Sequence, residues 1–234
     1  MDAVILAGGE GRRLRPYTSV LPKPLMPVGD LPILEVILRQ LKSAGLREIT
    51  LSVGYLSSLI RAYCGDGEKF DLEISYVSET APLGTAGPLQ LLEAPNSAFI
   101  VMNGDVLTDL DFRALHKFHE NNEQLLTIAT FEKEVQIPLG VLELSEDGTI
   151  ADYREKPTFY NPVSMGIYCC SPEILDYLPA GERFDLPDLV MALLADGQRV
   201  RSYPHPGYWL DIGNHEDYER AQYVVTEATK QDGD

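Results

Sequence analysis

The residues best equipped for chemistry lie near the start of the chain. Gly8, Gly9 and Gly11 interrupt an apolar run, and Arg12, Arg13, Arg15 and Lys23 follow in a window, 12–23, that holds no Asp or Glu. Glycine removes the Cβ that would keep a ligand away from peptide N–H groups, and clustered cations neutralise an anion, so the two features together suit a phosphate. The same residues can also be read as a tight turn beside a solvated basic loop. Two familiar phosphate loops are excluded. The dinucleotide pattern G-x-G-x-x-G fails because Leu14 stands where the third glycine belongs and Pro16 discourages a helix there, and the P-loop fails because the chain has no Gly-Lys pair.

Other chemically capable groups are scattered. Asp105 follows an apolar run and Asn103-Gly104; Asp211 follows Tyr208-Trp209-Leu210. Taken alone, either is a turn or cap residue, and taken together they offer oxygen ligands for a hard cation. Glu155-Lys156 is an adjacent charge pair at a strand end. His116 and His119 lie three apart on a helical stretch without a further soft ligand, so a solvated helix face is expected there, not a metal site. No Ser-His-Asp or Cys-His set is evident. The three cysteines, Cys64, Cys169 and Cys170, are too few for a disulfide framework and are expected as buried free thiols, the last two on opposite faces of a strand.

These groups need a scaffold, and the first half of the chain supplies an alternation of strand and helix patterns. Strands are predicted at Ala3–Ala7, Glu48–Val53, Leu72–Val77 and Ala98–Met102. Helices are predicted over Ile33–Ala44, closed by Gly45, and over Tyr55–Cys64, Thr85–Leu92 and Asp111–Asn121. The middle, with Leu125–Phe131, Leu139–Leu144, Thr149–Arg154 and Val163–Cys170, has short turns that imply antiparallel or mixed pairing. Helical patterns return at Pro172–Tyr177, Leu186–Ala195 and from His215 to about Ala228, before a polar tail expected to fray. The expected fold class is α/β, a Rossmann-like doubly wound, mainly parallel mixed sheet in one domain over 1–234. The first half, about 1–110, is expected to carry a nucleotide-type crevice and the second, about 111–228, to supply its opposite wall.

Composition narrows the partners. A formal net charge of −17 on 234 residues opposes nucleic acid or an anionic membrane as the main partner. No stretch of about 18 apolar residues and no leader pattern is present, so a cytoplasmic protein is expected.

The run Gly8-Gly9-Glu10-Gly11-Arg12-Arg13-Leu14-Arg15-Pro16 with Pro22-Lys23-Pro24 resembles the signature of the sugar-1-phosphate nucleotidylyltransferases. The likeness continues in order through Pro82-Leu83-Gly84-Thr85-Ala86-Gly87-Pro88-Leu89, Asn103-Gly104-Asp105, Glu155-Lys156-Pro157, Gly166-Ile167-Tyr168 and Trp209-Leu210-Asp211-Ile212-Gly213. The C-terminal extension that many relatives carry is not seen, so the likeness is to the catalytic domain alone.

The resemblance implies transfer of a nucleotidyl group from a nucleoside triphosphate to a sugar 1-phosphate with release of pyrophosphate. It casts Arg13 and Lys23 as the catalytic cations and Leu6, Ala7, Gly8, Gly9, Gly11, Gly84, Thr85 and Asp105 as nucleotide contacts. Gly140, Glu155, Lys156 and Ser164 fall to the sugar phosphate, and Asp105 with Asp211 to Mg2+. Arg12 departs from the small residue usual in the family, and either adds a phosphate contact or, the favoured reading, faces solvent. Ser164 replaces the usual Asn. The form Gly-Thr-Ala-Gly-Pro-Leu is most similar to the guanylyl-transferring branch, which makes GTP with mannose or manno-heptose 1-phosphate the preferred pair. A uridylyl- or thymidylyltransferase acting on a glucose- or amino-sugar-type phosphate is the alternative within the class. A non-catalytic, sugar-nucleotide-binding regulatory subunit is the alternative outside it, and a homodimer is expected from family habit.

Overall fold

The computed structural model describes residues 2–79, 81–93 and 95–231, the last eight as backbone only. The strands in chain order are β1 (Ala3–Ala7), β2 (Pro27–Val28), β3 (Leu31–Pro32), β4 (Glu48–Val53), β5 (Glu73–Ser78), β6 (Phe99–Asn103), β7 (Val106–Thr108), β8 (Leu126–Gln136), β9 (Gly140–Leu144), β10 (Ile150–Glu155), β11 (Thr158–Cys170), β12 (Val200–Pro204) and β13 (Trp209–Asp211). The helices are α1 (Ile33–Ser43), α2 (Ser57–Cys64), α3 (Phe112–Glu120), α4 (Leu186–Ala195) and α5 (His215–Gln231). Seven strands form one sheet in the order β12-β8-β11-β6-β1-β4-β5. β1 runs parallel to β4 and β6, β4 to β5, and β12 to β8, while β11 is antiparallel to both β6 and β8. The expected mainly parallel, mixed α/β sheet is therefore present.

Burial on both faces explains the central strands. Ile5 and Ile100 point to one core layer with Ile37, Leu41, Leu115 and Cys169, and Val4 and Val101 point to the other with Leu189, Leu193 and Cys170. Cys169 and Cys170 thus face opposite layers as predicted, and burial pushes the Cys64 thiol up to about 11 and the Cys169 thiol up to about 12. Among the described residues no helix is long and apolar enough to cross a membrane.

The chain leaves β1 toward β4 and β5 and returns to the other side of β1 as β6. That reversal opens a crevice beyond the carboxyl ends of β1 and β6, where ligands settle in open α/β sheets. Past it, β11 continues: Ile167 pairs with Met102, so residues before Ile167 run beyond the end of β6 alongside β8.

Four local expectations are corrected. The helix predicted over Thr85–Leu92 is only a 3-10 turn, Gly87–Leu91, because the N–H groups of Ala86 and Gly87 both donate to the Phe184 carbonyl. Pro172–Tyr177 is likewise 3-10. α5 continues to Gln231, past the predicted end at Ala228, and the rest of the tail lies outside the described residues. The histidines do not line a solvated face. His119 is buried, with Nδ1 on the Thr127 hydroxyl at 2.9 Å and Nε2 on the Ser171 hydroxyl at 3.0 Å, and His116 Nε2 meets the Ala98 carbonyl at 3.1 Å.

Candidate active site

The glycine loop leaves β1 at the switch point and is fixed on several sides. Leu14, fully buried, anchors its middle, and the Gly11 carbonyl accepts from Leu14 N at 2.9 Å and from the Thr18 hydroxyl at 2.8 Å. Gly11 has φ +60, and a Cβ there would come within 3.0 Å of Thr18 Cγ2 and 3.2 Å of Lys23 Cβ, so glycine is needed for both conformation and space. The loop's far side rests on α5: His215 Nε2 contacts the Arg15 carbonyl at 2.9 Å, and the Tyr17 ring packs on His215 and Tyr218.

The carboxylates arrive by separate routes. β6 delivers Asn103-Gly104-Asp105, and β13 pairs antiparallel with β7 so that Asp211 lies opposite Val106. Ile212 N then donates to the Asp105 carbonyl at 3.1 Å, setting Asp211 beside Asp105. The Lys23 ammonium, on a side chain 11% exposed, donates to Asp105 Oδ2. Asp105 Oδ1 is buried without a hydrogen-bond partner. Burial, reinforced by the charge of Asp105, raises the Asp211 carboxyl above its usual range despite the opposing fields of Lys23 and Arg13.

A cavity of about 280 Å³ brings together Leu6, Ala7, Gly9, Gly11, Arg13, Lys23 and Asp105 from the predicted set. It adds Arg12, Pro24, Gly104 and Gly213, of which the three other than Arg12 were not singled out as site residues. Gly213 lies against the Arg13 guanidinium, whose terminal nitrogens are 3.5 Å from where its Cβ would stand, with Asp217 Oδ2 at 3.3 Å from the same point. The signal for it was the glycine two residues after Asp211. Gly9 opens onto free space, as a ligand-facing glycine should, whereas Gly8 does not line the cavity. Its bare Cα instead admits the loop after β4, where Tyr55 N donates to the Gly8 carbonyl at 3.2 Å. Arg12 lines the cavity while its Nε bonds Glu10 at 2.6 Å and its side chain is largely exposed, so both readings of it stay open.

Gly84 and Thr85 are not in this cavity. Thr85 N and Oγ1 donate to Asp185 Oδ1 at 2.9 and 3.2 Å, and Thr85 Oγ1 accepts from Leu186 N, so the segment is bound to the start of α4. Gly140, Glu155, Lys156 and Ser164 belong to the structure that rises past β6. Gly140 and Glu155 pair across the β9–β10 hairpin, and Lys156 follows with φ +46. Ser164 stands at the bulge where β11 slips register against β8, its hydroxyl donating to the Tyr168 hydroxyl at 3.1 Å and accepting from Gly166 N at 3.2 Å. Trp209 Nε1 donates to the Met165 carbonyl at 3.0 Å, tying that bulge to the strand that carries Asp211. At Gly140, whose bareness was expected to serve the sugar, the Tyr153 ring and hydroxyl occupy the space its Cβ would take.

An anion-sized cavity at the switch point of an α/β sheet, lined by a glycine loop, three cations and Asp105, with Asp211 next to Asp105 but outside the lining, suits proteins that handle nucleotide phosphates. The pattern of the nucleotidyl transferase family matches residues 2–228, and the chain belongs to that family of enzymes. It is 34% identical to the UTP–glucose-1-phosphate uridylyltransferase of Synechocystis sp., over 94% of this chain and 62% of that protein. It is 33% identical to the mannose-1-phosphate guanylyltransferase of Mycobacterium tuberculosis, over 94% of this chain and 63% of that protein. The chain thus spans about three-fifths of the length of these curated relatives. Among solved structures, a Bacillus anthracis protein described as a glucose-1-phosphate thymidylyltransferase, in complex with a sucrose, superimposes with TM-score 0.78 at 26% identity, covering 96% of this chain and 94% of that one. HddC from Yersinia pseudotuberculosis complexed with GMP-PN gives TM-score 0.71 at 26% identity, covering 96% and 99%.

Proposed function

We propose that the chain transfers a nucleotidyl group from GTP to mannose or manno-heptose 1-phosphate, forming the NDP-sugar and releasing pyrophosphate. The observation that carries this reading is the meeting of Asp105 and Asp211 beside a cavity that also holds Arg13, Lys23 and the glycine loop. A sugar 1-phosphate has a second pKa of about 6, so its attacking oxygen needs no general base, and the difficulty is repulsion between two polyanions. Arg13 and Lys23 reduce it by pairing with the triphosphate and with charge building on the leaving pyrophosphate. The peptide N–H groups around Gly9 and Gly11 fix the triphosphate for in-line attack. Glu155 accepts sugar hydroxyls and Lys156 meets the sugar's phosphate.

The donor set fits Mg2+: two hard carboxylates, one with an unpartnered buried oxygen. Asp105 and Asp211 would hold it, and when bound it would neutralise phosphate charge and orient the α-phosphate.

The guanylyl preference draws support from the Gly84–Leu89 motif, from guanylyltransferase-named relatives and from the guanine nucleotide in the HddC complex. Uridylyl- and thymidylyltransferase-named proteins are equally similar, so the choice rests on experiment. Pyrophosphate release measured across GTP, UTP, dTTP and ATP with a panel of sugar 1-phosphates should give the highest kcat/KM with GTP and a manno-configured sugar. A preference for UTP or dTTP overturns the guanylyl assignment. Tight nucleotide binding without pyrophosphate release from any pair favours a regulatory subunit.

A further inference from the structure

The hairpin above the crevice carries an arrangement that the proposed reaction does not yet use. Tyr153 and Glu155 sit two apart on β10 and so share a face, and Gly140 is the cross-strand partner of Glu155. Tyr153 leans across Gly140, filling the place of its missing Cβ, and donates its hydroxyl to Glu155 Oε2 at 2.6 Å. The Tyr153 residue is 58% exposed, so no core packing dictates this pose. The gap at Gly140 and the hydrogen bond to Glu155 select it. An exposed glutamate left to itself samples many rotamers, and a ligand that needs one of them must first order it.

We propose that Tyr153 is a positioning residue for the sugar: its hydroxyl holds Glu155 through Oε2, leaving Oε1 aimed outward to accept from a sugar hydroxyl. The inference rests on the reading of Glu155 as the sugar's acceptor and adds the device that orders it. It also reassigns Gly140, whose lack of a side chain serves the Tyr153 ring. Gly140 has no left-handed φ, so alanine there is tolerated by the backbone and acts by displacing Tyr153.

The test is a kinetic cycle on the intact chain, using whichever nucleotide and sugar 1-phosphate turn over fastest. Tyr153→Phe keeps the ring and removes only the hydroxyl. It should raise KM for the sugar 1-phosphate about 5-fold, the loss of one hydrogen bond to a charged group at an exposed site, with KM for the nucleotide unchanged and kcat down less than about 2-fold. Gly140→Ala should raise the same KM and add nothing in the Tyr153→Phe background. In a Glu155→Gln background, Tyr153→Phe should add less than about 2-fold, since it acts through the carboxylate. If Glu155→Gln raises the sugar KM but Tyr153→Phe does not, or if Tyr153→Phe costs the same factor in both backgrounds, the positioning role is wrong and the reading of Glu155 stands. If Glu155→Gln leaves the sugar KM untouched, that reading fails and takes the role of Tyr153 with it.

Discussion

Replacing Lys23 by methionine separates charge from packing at the centre of the site. The Lys23 side chain is 11% exposed and Asp105 23%, so methionine keeps the buried stem and removes only the ammonium. Two carboxylates then remain, and Asp211 already has its carboxyl raised by burial and by Asp105. Breaking a fully buried pair from one side costs about 3–5 kcal/mol. Here Asp105 keeps some contact with solvent and Arg13 remains as a second cation, which brings the expected loss to about 2–3 kcal/mol. For a chain of this size, that corresponds to a Tm about 5–10 °C lower. Lys23→Met combined with Asp105→Asn removes both charges and should recover most of the loss. Turnover should fall about 100- to 1,000-fold in the single variant. Thermal unfolding followed by circular dichroism in EDTA, with pyrophosphate release measured in parallel, reads both effects. A Tm within about 2 °C of wild type, or a double variant less stable than the single one, would refute the claim that Lys23 offsets carboxylate repulsion in the resting protein.

Arg13→Ala should behave differently: the residue is exposed, so Tm should move by no more than about 2 °C while turnover drops at least about 100-fold, and wild-type rates would remove it from the mechanism. Gly166→Ala should destabilise by about 1–3 kcal/mol, because φ is +72 and the new Cβ would lie 2.6 Å from Asn103 Nδ2, next to Gly104-Asp105. An unchanged Tm in that variant would show that the bulge relaxes freely. Burial lowers the pKa of His119 to about 4 from 6.5, so the unfolded chain binds its proton first as pH falls. Its contribution is whole above about pH 6.5 and is lost on descent toward pH 4, about 3 kcal/mol in all, and His119→Gln should flatten the dependence of Tm on pH across that window. Equal slopes in the two proteins would contradict the assignment.

Strands buried on both faces were readable because their apolar runs are continuous; Ala3–Ala7 and Phe99–Asn103 needed no alternation to be recognised. The glycine loop was readable because its residue types are rare in combination. The outer halves of β8 and β11, to Gln136 and from Thr158, were not. They project from the sheet and are exposed or at most half-buried, so neither face is strongly selected for apolar residues. The nearness of Asp105 and Asp211 depends on two three-residue strands, β7 and β13, too short to carry any periodic signal, and came only from the family likeness. His119 could have been read better. It falls on one helical face with Phe112 and Leu115, both buried, and that spacing marks a core-facing position. Tyr153 gave no signal, since nothing in a hairpin sequence says that a tyrosine will lean across a glycine to its neighbour but one.

The distribution of charge around the glycine loop also distinguishes its arginines as partners for an incoming anion. In a chain this acidic, any cation that meets a carboxylate is already partly neutralised. Arg12 bonds Glu10 through Nε at 2.6 Å and Nη2 at 3.2 Å, Arg15 reaches the same carboxylate at 4.0 Å, and Lys23 holds Asp105. Arg13 makes no ion pair within 4 Å among the described residues, and it lines the cavity beside Gly213. A triphosphate entering there meets Arg13 without first breaking an existing contact. The exposed Arg12–Glu10 pair costs little and leaves Arg13, among the described residues, as the cavity arginine without an ion pair.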